Sequence, residues 1–362
     1  MTTFFLLAAG LAVLTAGAEM LVKGASRIAL AAGISPLAVG LTIVAYGTST
    51  PELVVSMQAA WAGQADIALG NAVGSNIFNI LFILGISALI APLVVTRKLV
   101  RIDVPIMIAV SLLLWVLALD GRIGRADAVL LTAGIVLFTV FSILQGRKEE
   151  AASKSGDSSA SESSGENTGR KSWIFNLLLI AAGLAGLAFG AKWFLEGAVT
   201  LARGLGVSEL VIGLTLVAAG TSLPEVATSI LATLRGQRDI AIGNVVGSNI
   251  YNILAILGLT AFVPEGGLSV APSMIHFDIP FMTAVAFACL PIFFSGHRID
   301  RWEGALFLLY YVLFTFFLYL KSVQHEALPM FSSVMFLFVA PLTAVTLAVV
   351  LIRQRSRTLQ KD

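Results

Sequence analysis

Long apolar runs separated by short polar breaks dominate the chain. Eleven are long enough to be spans, at roughly 4–31, 36–60, 67–94, 103–119, 126–145, 173–203, 208–233, 240–263, 277–295, 302–320 and 328–352. The hydrocarbon core of a bilayer takes ~20 apolar residues as a helix. The runs do not alternate in tens as barrel strands do. The expected fold is therefore an all-α polytopic membrane protein. Only one long polar segment occurs, Gly146 to Lys171, rich in Ser, Gly, Glu and Lys. It reads as a disordered linker.

The pattern occurs twice. Residues 40–56 (GLTIVAYGTSTPELVVS) and 213–229 (GLTLVAAGTSLPEVATS) agree at 11 of 17 positions. Residues 70–85 and 243–258, both of the form GNxVGSNIxNILxILG, agree at 13 of 16. The offset is 173 in both cases and reaches back into the first span of each half, where Gly17, Gly24 and Gly33 map onto Gly190, Gly197 and Gly206. Fainter echoes are RIDVP at 101–105 with HFDIP at 276–280. The chain thus divides into a first half (1–145), a linker (146–172), a second half (173–321), and an extra span with a basic tail (322–362). Five spans per half force the second half to enter the membrane from the other side. Inverted repeats of this kind build secondary transporters, with the site near mid-membrane at the repeat interface. The eleventh span has no counterpart in the first half and is expected to be peripheral.

Composition agrees and adds little: 57% of residues are hydrophobic, 12% are charged, and the net charge is +2. No nucleic-acid patch stands out. The single cysteine, Cys289, lies in an apolar run and excludes an internal disulfide. No cleavable signal peptide is expected, because the first apolar run is too long for one. The placement of charge does matter. With the N-terminus outside, sixteen Lys and Arg residues fall in inside loops and four (Arg122, Arg125, Arg203, Lys321) fall outside. The positive-inside rule then places the linker and C-terminus in the cytoplasm.

The polar residues inside the apolar runs carry the chemistry. Glu52 and Glu225 each sit mid-span, where a carboxylate costs ~2.5 kcal/mol or more and marks a functional site. Pro51 and Pro224 lack an N–H and must break the helix there. The bland alternative, a structural kink with a paired glutamate, is weakened by the matched second copy. Around each break lie Thr48, Ser49, Thr221 and Ser222, with carbonyls expected to be freed near Ala45 and Ala218. Residues four apart share a helix face. Asn71, Ser75 and Asn79 therefore form one polar stripe, and Asn244, Ser248 and Asn252 the other. Asn76 and Asn249 point about 100° away and are expected to bond a neighbouring helix's backbone rather than an ion. Gly70, Gly74, Gly243 and Gly247 allow close helix approach. The set is all oxygen, without Cys or His, and suits hard cations such as Na+ or Ca2+. Two carboxylates balance one Ca2+ or two to three Na+. They cannot hold both loads, which is the physical basis of antiport.

The paired GTSxPE and GNxVGSNIxN segments resemble the two alpha-repeats of the sodium/calcium exchanger family, of prokaryotic type, in the cation/Ca2+ antiporter superfamily. The resemblance covers roughly residues 1–320. It implies a ten-helix core in which the first and sixth helices slide against the rest. It implies Ca2+ export in exchange for Na+ by alternating access, at a prokaryotic plasma membrane, with Ca2+, Na+ and the bilayer as partners and no cofactor. By the same resemblance, Glu52 and Glu225 are central Ca2+ ligands with Thr48, Ser49, Thr221 and Ser222 beside them. Ser75, Asn79, Ser248 and Asn252 line flanking Na+ sites. Some relatives carry Asp where this chain has Asn252, so H+ or K+ coupling stands as the alternative. The linker is too short for a large Ca2+-sensing domain. Glu19 with Lys23, and Lys192 with Glu196, read either as intrahelical pairs or as partners across the interface. A cation channel is a more distant reading. An enzyme is not expected, since no nucleophile–base pair or aspartyl dyad is present.

Overall fold

The computed structural model describes residues 2–156, 170–206, 218–294, 297–335, 337 and 341. The apolar runs form helices α1 (Thr2–Ala32), α2 (Pro36–Thr48), α3 (Thr50–Trp61), α4 (Ala65–Ile90), α5 (Leu99–Ala118) and α6 (Arg125–Gly156) in the first half. The second half supplies α7 (Arg170–Gly204), α8 (Leu223–Leu234), α9 (Arg238–Thr260), α10 (Met274–Phe294) and α11 (Arg301–Ser322), followed by α12 (Leu328–Val334). The eleventh expected span is described only in that first stretch, and the rest of it lies outside the described residues. So does 207–217, which holds most of the segment leading into α8.

Turn chemistry repeats with the sequence. Ser35 caps α2, accepting the Ala38 amide at 3.4 Å, and Pro36 opens the helix. Gly63 and Gly236 both take φ +73 to turn the chain from α3 to α4 and from α8 to α9. Wide i-to-i+5 turns interrupt α4 at Asn79–Leu84 and α9 at Asn252–Leu257. Such turns are rare and cluster at functional positions.

α4 and α9 are the centre of the molecule, with 72% and 94% of their apolar stretch buried, against 22–50% for the other spanning helices. They carry a large share of the main apolar cluster, including Leu69, Ile77, Ile80, Ile83, Ile250, Ile253 and Leu257. A second cluster lies between α1 and α7. These two helices run antiparallel with backbones almost touching. A Cβ on Gly10 would meet the Phe194 amide nitrogen at 2.5 Å, one on Gly17 that of Leu187 at 2.7 Å, and one on Gly190 that of Leu14 at 2.5 Å. Small residues let apolar helices approach this closely where no hydrophobic force joins them. Gly243 and Gly247 do the same for α9 on α2, against Leu37, Gly40 and Leu41. The repeat counterparts of Leu37, Gly40 and Leu41, which would meet Gly70 and Gly74, are residues 210, 213 and 214, outside the described residues.

Two short strand pairs tie the loops. Leu93–Val94 (β1) pairs with Arg298–Ile299 (β4), and Arg122–Ile123 (β2) with Leu268–Ser269 (β3). The expected disorder from Gly146 onward is overturned for its first part, because α6 continues to Gly156. The Gly146 carbonyl accepts the Ser35 amide at 3.2 Å, and the Glu149 carboxylate accepts the Ser35 hydroxyl at 2.9 Å and pairs with Lys98 at 3.4 Å. Those contacts order a sequence that composition alone assigns to a loop. Residues 157–169 lie outside the described residues.

Candidate functional site

The site starts from two helix breaks. α2 and α3 meet at Ser49 with a 45° bend. Ser49 has φ −85 and ψ 9, and Ser222 at the head of α8 has φ −89 and ψ 9. Pro51 and Pro224 take the second position of α3 and α8, where a missing N–H leaves no partner wanting. This places Glu52 and Glu225 in a first helical turn, each 1% exposed. Each carboxylate thus stands beside the positive end of its own half-helix.

The Ala45 carbonyl departs from expectation. It accepts the Ser49 amide at 3.0 Å, with the Thr48 hydroxyl at 3.4 Å. The ladder runs on to Ser49 before it breaks, so the carbonyl four residues before Pro51 belongs to Gly47. Ala218 opens a single described helical turn, Ala218–Gly220.

The two halves then cross. The Ser49 hydroxyl donates to Glu225 Oε1 at 2.7 Å, and the Ser222 hydroxyl to Glu52 Oε1 at 2.9 Å. Each carboxylate is thus held by the break of the other repeat. Ser222 and Ser75 are 3.2 Å apart, hydroxyl to hydroxyl. The Thr48 hydroxyl donates to Asn244 Oδ1 at 3.1 Å, and that of Thr221 to Asn71 Oδ1 at 3.3 Å. Asn71 in turn donates to the Glu52 carbonyl at 3.0 Å and Ser56 Oγ at 2.9 Å, and Asn244 to Ser229 Oγ at 3.0 Å. Asn71, Asn244, Ser56 and Ser229 therefore brace the breaks. Reading the sequence for ligands misses the two serines, although their shared position four residues after each glutamate marks them.

Four buried asparagines close the arrangement where α4 crosses α9. Asn76 Nδ2 donates to the Asn249 carbonyl at 3.2 Å, and Asn249 Nδ2 to the Asn76 carbonyl at 3.3 Å. The expectation that this pair bonds backbone is met. Asn79 Nδ2 donates to Asn249 Oδ1 at 3.0 Å, and Asn252 Nδ2 to Asn76 Oδ1 at 2.9 Å. α3 packs on the wide turn beginning at Asn252, and α8 on that beginning at Asn79, so carboxylates and amides of opposite repeats converge.

What is left over defines the chemistry. Glu52 Oε2, Glu225 Oε2, Asn79 Oδ1, Asn252 Oδ1 and Ser248 Oγ are buried and have no hydrogen-bond partner among the described residues. A buried polar atom left in that state costs ~1–3 kcal/mol. The protons of Ser49, Ser222, Thr48 and Thr221 and one N–H of each of Asn79 and Asn252 are spent on protein acceptors. The site therefore presents free lone pairs from both glutamates and both amides. Such a cavity suits a cation or a hydrogen-bond donor such as water. Among the described residues no third acidic, His or Cys side chain joins the two glutamates in a metal-holding group.

Three comparisons agree with this geometry. The family model described as "Sodium/calcium exchanger protein" matches residues 2–144 and 175–320. The chain is 37% identical to the putative antiporter CaxA of Alkalimonas amylolytica over 275 residues, which cover 75% of this chain and 85% of that one. It is 34% identical to the sodium/calcium exchanger MaX1 of Methanosarcina acetivorans over 344 residues, 86% of this chain and 97% of that one. The solved structure of the sodium-calcium exchanger NCX_Mj, soaked with 10 mM Na+ and zero Ca2+, superposes with a TM-score of 0.73 at 31% identity, covering 86% of this chain and 97% of that one.

Proposed function

Since the chain belongs to the sodium/calcium exchanger family, we propose that it exports Ca2+ in exchange for Na+ by alternating access. At the coarser level the chain is a membrane antiporter for Ca2+ and a counter-cation, with the exchanger fold of two inverted repeats. The finer reading rests on one observation. Five buried oxygens lack partners among the described residues, four of them on symmetry-related residues, while the hydroxyls of Ser49 and Ser222 are committed to the glutamates. Glu52 and Glu225 hold Ca2+ between them, with the oxygens of Thr48, Ser49, Thr221 and Ser222 completing its shell. Ser75, Asn79, Ser248 and Asn252 add the neutral oxygens that Na+ needs and a proton does not. The carbonyl of Ala45, already accepting the Ser49 amide, contributes only a second lone pair, and that of Ala218 is its counterpart in the other repeat. Two negative charges accept either load and not both, so the exchange is obligatory. α1 and α7, joined to each other through glycine-to-backbone contacts, move as one slab past the core.

The test is uptake of radiolabelled Ca2+ into Na+-loaded proteoliposomes diluted into Na+-free buffer at constant pH. Wild type accumulates Ca2+ only with an outward Na+ gradient, and Glu52→Gln and Glu225→Gln each abolish accumulation. Uptake that ignores Na+ and follows a pH or K+ gradient makes H+ or K+ the coupling ion. Equilibration with no gradient, or normal exchange by the Gln variants, overturns the site.

A further inference from the structure

We propose that Asn76 and Asn249 are positioning residues, a crossed amide clamp that fixes Asn79 and Asn252 with their oxygens, never their N–H groups, toward the transported ion. The inference rests on the reading above that Asn79 Oδ1 and Asn252 Oδ1 are cation ligands. A primary amide is ambiguous by construction, because its oxygen attracts a cation and its NH2, reached by a half-turn of the same bond, repels one. A ligand that turns freely offers the wrong face part of the time.

The clamp removes that freedom through a chain of fixed donors. Asn249 Oδ1 accepts from Asn79 Nδ2 at 3.0 Å. Turning Asn79 alone would set oxygen against oxygen. Asn249 cannot turn to relieve this, because its Nδ2 donates to the Asn76 carbonyl at 3.3 Å and faces Met107 Sδ at 3.6 Å. The other repeat is built the same way. Asn76 Oδ1 holds Asn252 Nδ2 at 2.9 Å, while its own Nδ2 is held by the Asn249 carbonyl at 3.2 Å and Met282 Sδ at 3.4 Å. All four asparagines are about 1% exposed, so water does not supply alternative partners. Each ligand amide is oriented by the opposite repeat, which couples the two ion-binding halves through one pair of side chains.

The experiment uses the full-length protein in proteoliposomes and reads the half-saturation concentrations for Na+ and Ca2+ separately. Asn249→Leu should raise the Na+ value about tenfold, as expected for a buried amide losing its partner, and leave the Ca2+ value within about twofold. Asn249→Asp, in its neutral acid form, still offers Asn79 an acceptor and the Asn76 carbonyl a proton, and should move the Na+ value back toward wild type. The double variant Asn79→Leu/Asn249→Leu should match Asn79→Leu alone, since the clamp acts only through its ligand. Equal loss of Na+ and Ca2+ affinity in Asn249→Leu, or additive effects in the double variant, overturns the clamp. If Asn79→Leu raises the Na+ value and Asn249→Leu does not, the clamp fails and the ligand reading survives. If Asn79→Leu leaves the Na+ value unchanged, the ligand reading fails and takes the clamp with it. Asn76→Leu and Asn76→Asp, judged against Asn252→Leu, repeat the question in the other repeat and decide it should one variant not fold.

Discussion

Ser49 and Ser222 do two jobs with one side chain: each ends a helix and each holds the other repeat's carboxylate. Their nearly identical backbone angles place the hydroxyl within 2.7 and 2.9 Å of its glutamate. Replacing either with Ala removes a donor and leaves the glutamate Oε1 facing a dry cavity, at a cost of ~1–3 kcal/mol. Ser222→Ala should be the worse of the two, because Ser222 also meets Ser75 at 3.2 Å. The readout is Ca2+-dependent thermal stability in detergent. Ca2+ at a hundredfold its dissociation constant stabilises by about 2.7 kcal/mol, a chelator reverses it, and each Ala variant needs about tenfold more Ca2+ for the same shift. Equal shifts in wild type and both variants would show that the crossed hydroxyls do not matter to binding. At this scale much is legible in the amino-acid sequence alone. Glutamates, hydroxyls and amides in apolar helices are conspicuous because burial makes them costly. The crossing is not legible, since a repeat says which residues correspond and not which reach across. The Ala45 carbonyl departs from expectation for a similar reason, because the helix keeps one more hydrogen bond than the proline alone suggests.

At the scale of elements, α1 and α7 are separated by backbone rather than by side chains. Gly190→Val places its Cβ 2.5 Å from the Leu14 nitrogen, which is backbone and cannot step aside. The helices must part, at ~1–3 kcal/mol for an overpacked contact. The expected result is a lower unfolding temperature together with slowed exchange. Gly33→Ala is the comparison. Gly33 has φ +59 with no described neighbour within 4 Å. Ala there strains the turn by ~1–2 kcal/mol without touching the interface. Loss of stability without loss of transport rate in Gly33→Ala separates a turn from the joint that makes α1 and α7 one slab; if both variants slow exchange alike, the α1–α7 contact has no special part in motion. The offset of 173 marks Gly17 and Gly190 as partners in sequence. The same offset pairs Gly10 with Gly183, but the antiparallel crossing exchanges partners in space, setting Gly10 against Gly190 and Gly17 against Gly183 and Gly186. The length of α6 is hidden for the opposite reason. Gly146 to Gly156 looks like linker by composition, and is held as helix by Ser35 and Lys98, residues far away in sequence.

For the whole molecule, the sidedness argued from Lys and Arg can be set against which loops touch. β1 and β4 join the loops at 93–94 and 298–299, both assigned inside, and β2 and β3 join those at 122–123 and 268–269, both assigned outside. Ser35, Lys98 and Glu149 meet on the inside face by the same assignment. There, Arg235 reaches Glu19 at 2.5 Å and Gln237 takes the Ser26 hydroxyl at 2.9 Å. Glu19 therefore pairs with Lys23 inside its own helix at 2.7 Å, the intrahelical reading, and its contact across helices is to Arg235. No contact among these joins loops from opposite faces. We expect Asp120→Cys to react with a membrane-impermeant maleimide on intact cells, and Arg97→Cys only after the membrane is opened. Both positions are exposed, and the native Cys289 is buried and should stay silent. The reverse pattern would invert the sidedness argued from Lys and Arg, leaving intact both the site and the direction of net exchange, which the ion gradients set. Labelling of both from outside would put on one face two loops assigned to opposite faces, and would overturn the inverted arrangement itself. Direction is thus decided by the ion gradients rather than by orientation in the membrane, because a site built from two inverted repeats is equivalent seen from either side.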